Sequence, residues 1–159
     1  MTTNMFIRFE EPAIAGTSTA PKHERDIEIL SWSHGFAQPT SPTRSTAGSG
    51  TVEQATHQNL SFTKYLDAAS NVMMKMCWSG QRFARVTMSC YRDDSGAPVQ
   101  YLEVVMQHVV IANYSISGGP GDIPVENVSL DYGTIQYTYM PNSGPRLSAA
   151  HDLQSGTVQ

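Results

Sequence analysis

Apolar residues recur at every second position over most of this chain, the period of strands with one buried face. Met5, Ile7 and Phe9 predict a short strand over 4–9. A long strand follows over 26–38, with Leu30, Trp32 and Phe36 on its apolar face and Ser31, Ser33, Gly35 and Ala37 opposite. Residues this small mark either a face that another surface approaches or ordinary exposure to water. A weak strand over 52–58 precedes a better one over 60–64, with Leu60 and Phe62 inward. Ala84, Val86, Met88 and Cys90 face one way along 82–92. The return strand, 99–112, places Leu102, Val104, Met106, Val110 and Ala112 on the core face. Its other face carries Tyr101, Glu103, Val105, Gln107, Val109 and Ile111, too apolar to be all solvent. Tyr101, Val105, Val109 and Ile111 are therefore subunit-interface candidates, and a second packed sheet explains them as well. Along 126–140 the apolar set moves from even positions (Val128, Leu130, Tyr132) to odd ones (Ile135, Tyr137, Tyr139). A shift of one residue inverts the faces, so a β-bulge is expected at Gly133.

Only residues 70–79 carry a helical period, with Met73, Met76 and Cys77 on one face. Ser70 or Asp67 can cap its start, and Gly80 can close its end. Asp93–Pro98 reads as a hairpin connection and Gly118–Asp122 as a turn cluster without the spacing of a phosphate loop. Residues 39–51 are rich in Pro, Ser, Thr and Gly. A loop of that length is either functional or disordered. About seven strands and one helix predict a mainly β fold: a small antiparallel β-barrel or two curved sheets with one flanking α-helix. One domain spans 1–141, with an extended loop at 39–51, and 142–159 reads as a polar, loosely held C-terminal tail.

Length and composition narrow the class. A chain of 159 residues is long enough to bury about 68–70% of its unfolded surface without staples. A charged fraction of 15% and a net charge of −4, with no run of three basic residues, argue against nucleic-acid binding. Cys77 and Cys90 form neither a CxxC pair nor a disulfide framework. No basic n-region with an apolar core opens the chain, so no cleaved signal peptide is expected. The longest apolar run is broken at Gln107 and His108, so no membrane insertion is expected.

Candidate chemistry is thin. His23, His34, His57, His108 and His151 show neither HxH nor HExxH spacing, so no metal site is expected. His108 and His34 read as structural residues on core faces. Ser33 and His34 are neighbours on a strand and point to opposite faces, which excludes a Ser–His pair. Asp93 and Asp94 fit a turn, and both cysteines fall on core faces. No nucleophile–base–orienter set assembles, so no catalytic residue, no cofactor and no enzyme activity are predicted.

The segments Leu30-Ser-Trp-Ser33, Leu60-Ser-Phe-Thr-Lys-Tyr65, Tyr101-Leu102, Ser115-Ile-Ser-Gly-Gly119 and Pro124-Val-Glu-Asn-Val-Ser-Leu130 carry a resemblance. In this order and spacing the chain resembles the haemolysin-coregulated (Hcp-like) tube proteins of type VI secretion systems, over roughly 5–141. The resemblance implies a secreted structural protein: hexameric rings that stack into an inner tube, with sheath and spike proteins as partners and effector cargo in the lumen. It implies a cytoplasmic precursor exported through the apparatus itself. It places Ser31 and Ser33 toward the lumen and Thr43, Arg44 and Ser45 in a ring-stacking loop. Departures are His34, where the family often has a second tryptophan, Arg92-Asp-Asp-Ser95, and Asn71 at the helix start. The alternative is a monomeric β-barrel module that binds a ligand or partner.

Overall fold

The computed structural model describes residues 4–39 and 55–159. Its strands are β1 (Met5–Glu10), β2 (Ile27–Glu28), β3 (Ser31–Ser33), β4 (Phe36–Ala37), β5 (Thr56–His57) and β6 (Leu60–Tyr65). The helix α1 (Ser70–Ser79) follows, then β7 (Arg82–Asp94), β8 (Ala97–Ser117), β9 (Val125–Asp131), β10 (Thr134–Tyr139), β11 (Leu147–Asp152) and β12 (Thr157–Val158). The fold is mainly β, as the alternation predicts. Among the described residues there are a ten-stranded antiparallel sheet and a separate pair, β4–β5.

Strand β8 organises the large sheet. Along one side it pairs with β7 through a tight Ser95-Gly96 turn, whose positive φ values of 53° and 84° suit the twist of a two-residue hairpin. Along the other side its first half pairs with β10 and its second half with β9. From there β9 leads to β6 and β3, while β7 leads to β1 and β2. The sheet is not closed into a barrel by hydrogen bonds: β2 and β3 do not pair, and the chain itself crosses from one arm to the other at 29–30. There Ile29 N–H bonds Met5 O and Leu30 N–H bonds Thr63 O.

That crossing corrects the expected long strand over 26–38. The change of partner at Leu30 changes which side faces in. Ile27 and Ile29 are buried, Trp32 is half-buried against the core, and Leu30 (39%) and Phe36 (54%) are exposed. A second correction falls in β8. His108 has a φ of +55°, where a residue other than glycine is rare, and it faces solvent instead of the core. The alternation shifts there, so Val109 and Ile111 join Val104 and Met106 in the core, while Val110 is half-buried and Ala112 exposed. On the facing segment Gly133 N–H bonds Gln107 O, and a Cβ at Gly133 would come within 3.2 Å of the His108 Cβ. The irregularity expected at Gly133 is thus a corner shared by two strands. In β7, Phe83 takes the interior place expected for Ala84, whose N–H turns to Glu11 O.

Helix α1 buries Met73 and packs Met76 and Cys77 against the core. Asp67 Oδ1 accepts the Ala69 N–H just before the first turn, and Gly80, at φ 68°, closes the last. Gln81 N–H then reaches back to Met76 O in a Schellman arrangement. Residues 142–159 are not loose: β11 pairs with β10 over its full length and β12 pairs with β11. The polar alternation of Ser148, Ala149 and Ala150 hides this strand from a periodicity search, since it packs on a sheet edge without burying a large side chain.

Candidate functional site: a small polar face

The middle of the outer face of the β3–β6–β9–β8 arm is built of small uncharged groups. Residues directly opposite in antiparallel strands share a face. One row runs Ser31, Thr63, Asn127, Ser115, and the next runs Ser33, Ser61, Ser129, Asn113. None is ionisable. Ser31 Oγ lies 2.6 Å from Thr63 Oγ1, and Ser61 Oγ lies 2.8 Å from Ser129 Oγ, so hydroxyls tie the strands together across the face. Ser31, Ser33, Asn113, Ser115 and Asn127 are exposed. The opposite face explains why these positions stay polar: Trp32, Phe62 and Val128 form one inward row, and Leu60, Leu130 and Ile111 another. These two rows hold water through hydroxyls and amides; on the same face exposed Asp131 brings a carboxylate to one end, and Tyr65 and Val125 bring apolar groups to the other.

Sequence reasoning placed Ser31 and Ser33 on this surface; it did not include Ser61, Thr63, Asn113, Ser115, Asn127 or Ser129. The signal was present in Leu60-Ser-Phe-Thr63 and Val128-Ser-Leu130, where small polar residues fill every second place. The other expected residues separate. Tyr101 and Val105 are half-buried on β8 and remain at the surface. Val109 (0%) and Ile111 (2%) lie inside the subunit's own core, so neither presents a side chain to a neighbour. Thr43, Arg44 and Ser45 lie outside the described residues. At the end of the same arm apolar residues take over: Tyr65 pairs with Val125, Val125 with Ser117, and Leu66 N–H bonds Pro124 O. Tyr65, Leu66, Ile116, Ile123 and Val125 are all exposed there, Tyr65 and Val125 on the outer face and Ile116, opposite Glu126, on the other.

Beneath this end lies a buried ion pair. Lys64 Nζ donates to Glu126 Oε1 at 2.6 Å, and both side chains are fully buried. Ser70 Oγ donates to the same carboxylate at 2.7 Å, and Asp67 Oδ1 lies 3.0 Å from Lys64 Nζ. The pair thereby anchors the start of α1 to β6 and β9. A second polar knot joins Arg8, Asp26, His23 and Tyr91: Arg8 Nε donates to Asp26 Oδ1 at 2.7 Å, and Asp26 Oδ2 lies 2.8 Å from His23 Nδ1. His23 Nε2 meets the Tyr91 hydroxyl, and its ring stacks on Phe6. Burial first, then Glu103 and Asp26, raise the Tyr91 pKa and keep it a phenol. This relay fastens the segment after β1 onto β7 and leaves no activated nucleophile. Cys90 is likewise unreactive, its thiol pushed up to about 11 by burial.

Comparison with known proteins decides the family. Residues 6–139 match the family described as "Type VI secretion system effector, Hcp". This chain belongs to the Hcp family. Protein hcp1 of Pseudomonas aeruginosa is 30% identical over 142 residues, covering 89% of this chain and 85% of that protein. The crystal structure of Hcp1 from Salmonella typhimurium is similar over the whole of both chains, with 27% identity and a TM-score of 0.82. A type VI secretion system effector from Yersinia pestis shares the fold at a TM-score of 0.74 and 23% identity, over 94% of this chain and 99% of its own. The Hcp fold and its place in type VI secretion therefore apply here. Among the described residues, no helix is long and apolar enough to cross a membrane.

Proposed function

We propose that this Hcp protein is a structural subunit of the type VI inner tube, assembling as hexameric rings that stack around a lumen. The supporting observation is membership of the Hcp family over 6–139, to which the geometry adds two suitable surfaces. The uncharged rows from Ser31 to Ser115 and from Ser33 to Asn113 suit the lumen wall, being wettable and free of ionisable groups. The exposed apolar residues Tyr65, Leu66, Ile116, Ile123 and Val125, with Tyr101 and Val105 on β8, suit contacts between copies. Effector cargo would pass along the polar rows, with sheath and spike proteins as outer partners. The role is structural and not enzymatic. The protein would be made in the cytoplasm and leave through the type VI apparatus itself. A ring closes only if each copy offers two different, complementary surfaces. Negative-stain microscopy of the purified protein is expected to show rings. A strict monomer in analytical ultracentrifugation at micromolar concentration would overturn the reading.

A further inference from the structure

The β4–β5 pair shares no backbone ladder with the large sheet. A continuous chain of side-chain hydrogen bonds joins it to the rest. Tyr137 Oη lies 2.5 Å from His34 Nδ1, and His34 Nε2 lies 2.8 Å from Tyr132 Oη. Tyr132 Oη lies 2.6 Å from His57 Nδ1, and His57 Nε2 lies 2.7 Å from His151 Nδ1. Three histidines from three segments thus meet two tyrosines beside the Gly133 corner. His34 precedes β4, His57 lies on β5, and His151 lies on β11. We propose that this chain is an acid-released latch: neutral imidazoles hold β4–β5 to the corner and to His151, and proton uptake frees β4–β5 while β11 stays in its ladder with β10.

Proton counting supports the device. A neutral imidazole has one donor and one acceptor, and a phenol has a donor and lone pairs. The four hydrogen bonds need four protons, and five neutral groups supply them in either direction along the chain. In one direction Tyr137 donates to His34, His34 to Tyr132, Tyr132 to His57 and His57 to His151. Reversal of every bond leaves His151 Nε2 open to one additional proton without loss of a bond. A second proton has no such place. On His57 it sets an N–H against the His151 N–H, with the two rings 4.8 Å apart. On His34 it turns the hydroxyl of Tyr132, a residue only 5% exposed, away from its acceptor.

The surroundings favour the neutral form. Burial lowers His34 from 6.5 to about 4, with His57 adding to the effect. Burial and His151 lower His57. Burial also raises both tyrosines, Tyr137 to about 12, so neither phenol ionises near neutrality. Asp131 accepts the Tyr132 N–H and adds to that rise. Cys90 faces Tyr137 as a neutral thiol, while Asp152 and Arg85 flank His151 with opposite charges. His108 bears on Asp152, whose carboxylate is also held ionised by the Gln154 and Ser155 N–H groups. Because the folded pKa of His34 lies below its ordinary value, the latch is complete above about 6.5. It weakens as pH falls toward about 4, where the unfolded or unlatched state binds more protons.

The test is hydrogen–deuterium exchange of the full chain, corrected for intrinsic rates. Protection of residues 55–58 is expected to fall about tenfold or more between about pH 7 and pH 5, with β7, β8 and the β11–β12 hairpin unchanged. His57→Gln keeps a donor and an acceptor without a titrating nitrogen, and is expected to flatten that response. Imidazole nitrogen NMR on the unaltered protein gives an independent reading, with His34 and His57 still neutral at about pH 6. Free titration of both near the ordinary value, or unchanged protection at acid pH, would overturn the latch. So would an acid response in the glutamine variant equal to that of the parent.

Discussion

Lys64 and Glu126 show what one misplaced charge would cost. Their side chains have no water to fall back on, and each is the other's counter-charge. Lys64→Ala is expected to destabilise the subunit by about 3–5 kcal/mol, because it strands a buried carboxylate. Replacing both, as Lys64→Met with Glu126→Leu, is expected to recover most of that loss. Urea unfolding of the three proteins checks it; equal stability of the single variant and the parent would show that Glu126 finds another partner. In sequence, Lys64 looks like an outward residue in a strand whose Leu60 and Phe62 point in, yet it shares their face by the same period of two. The alternation was readable. That a lysine occupies a core position became clear only once Glu126 was seen opposite it.

At the scale of elements, continuous alternation such as Val86 to Cys90 or Leu60 to Phe62 was legible because each strand keeps one partner and one buried side. The misassigned faces sit where a strand changes partner or turns a corner. At Leu30 the chain passes from β1 to β6, and at His108 a left-handed residue inverts the face of β8. Neither event has a local sequence mark: no glycine or proline stands at either position. The shift near Gly133 was legible because a glycine and a change of phase coincide. The C-terminal hairpin left no apolar trace, although β11 covers all six residues of β10. Removing 145–159 is expected to expose that edge, lower the melting temperature and promote association through unpaired N–H and C=O groups. Calorimetry and light scattering would register both effects, and an unchanged melting point would mean that β10 needs no cover.

At the scale of the whole molecule, the two surfaces divide the labour of the proposed ring. Expectation had assigned the contacts between copies to one face of β8; half of that set, Val109 and Ile111, turned out to hold the subunit together instead. The polar rows were only partly foreseen, through Ser31 and Ser33, since their full extent needs the pairing of four strands. Ser33→Arg is expected to leave melting and ring formation unchanged, as an exposed position should, while reducing the amount of effector exported several-fold. Loss of the ring itself in this variant would place Ser33 at a contact between copies rather than on the wall.

The hydroxyls and amides of those rows carry no ionisable group, so neither salt nor acidity alters their character. In the proposed tube, a solute gliding over these two rows would meet no fixed charge of either sign. Its passage along them would be decided by girth and by how well it keeps its own hydration, so one conduit would be serviceable for passengers of unrelated composition.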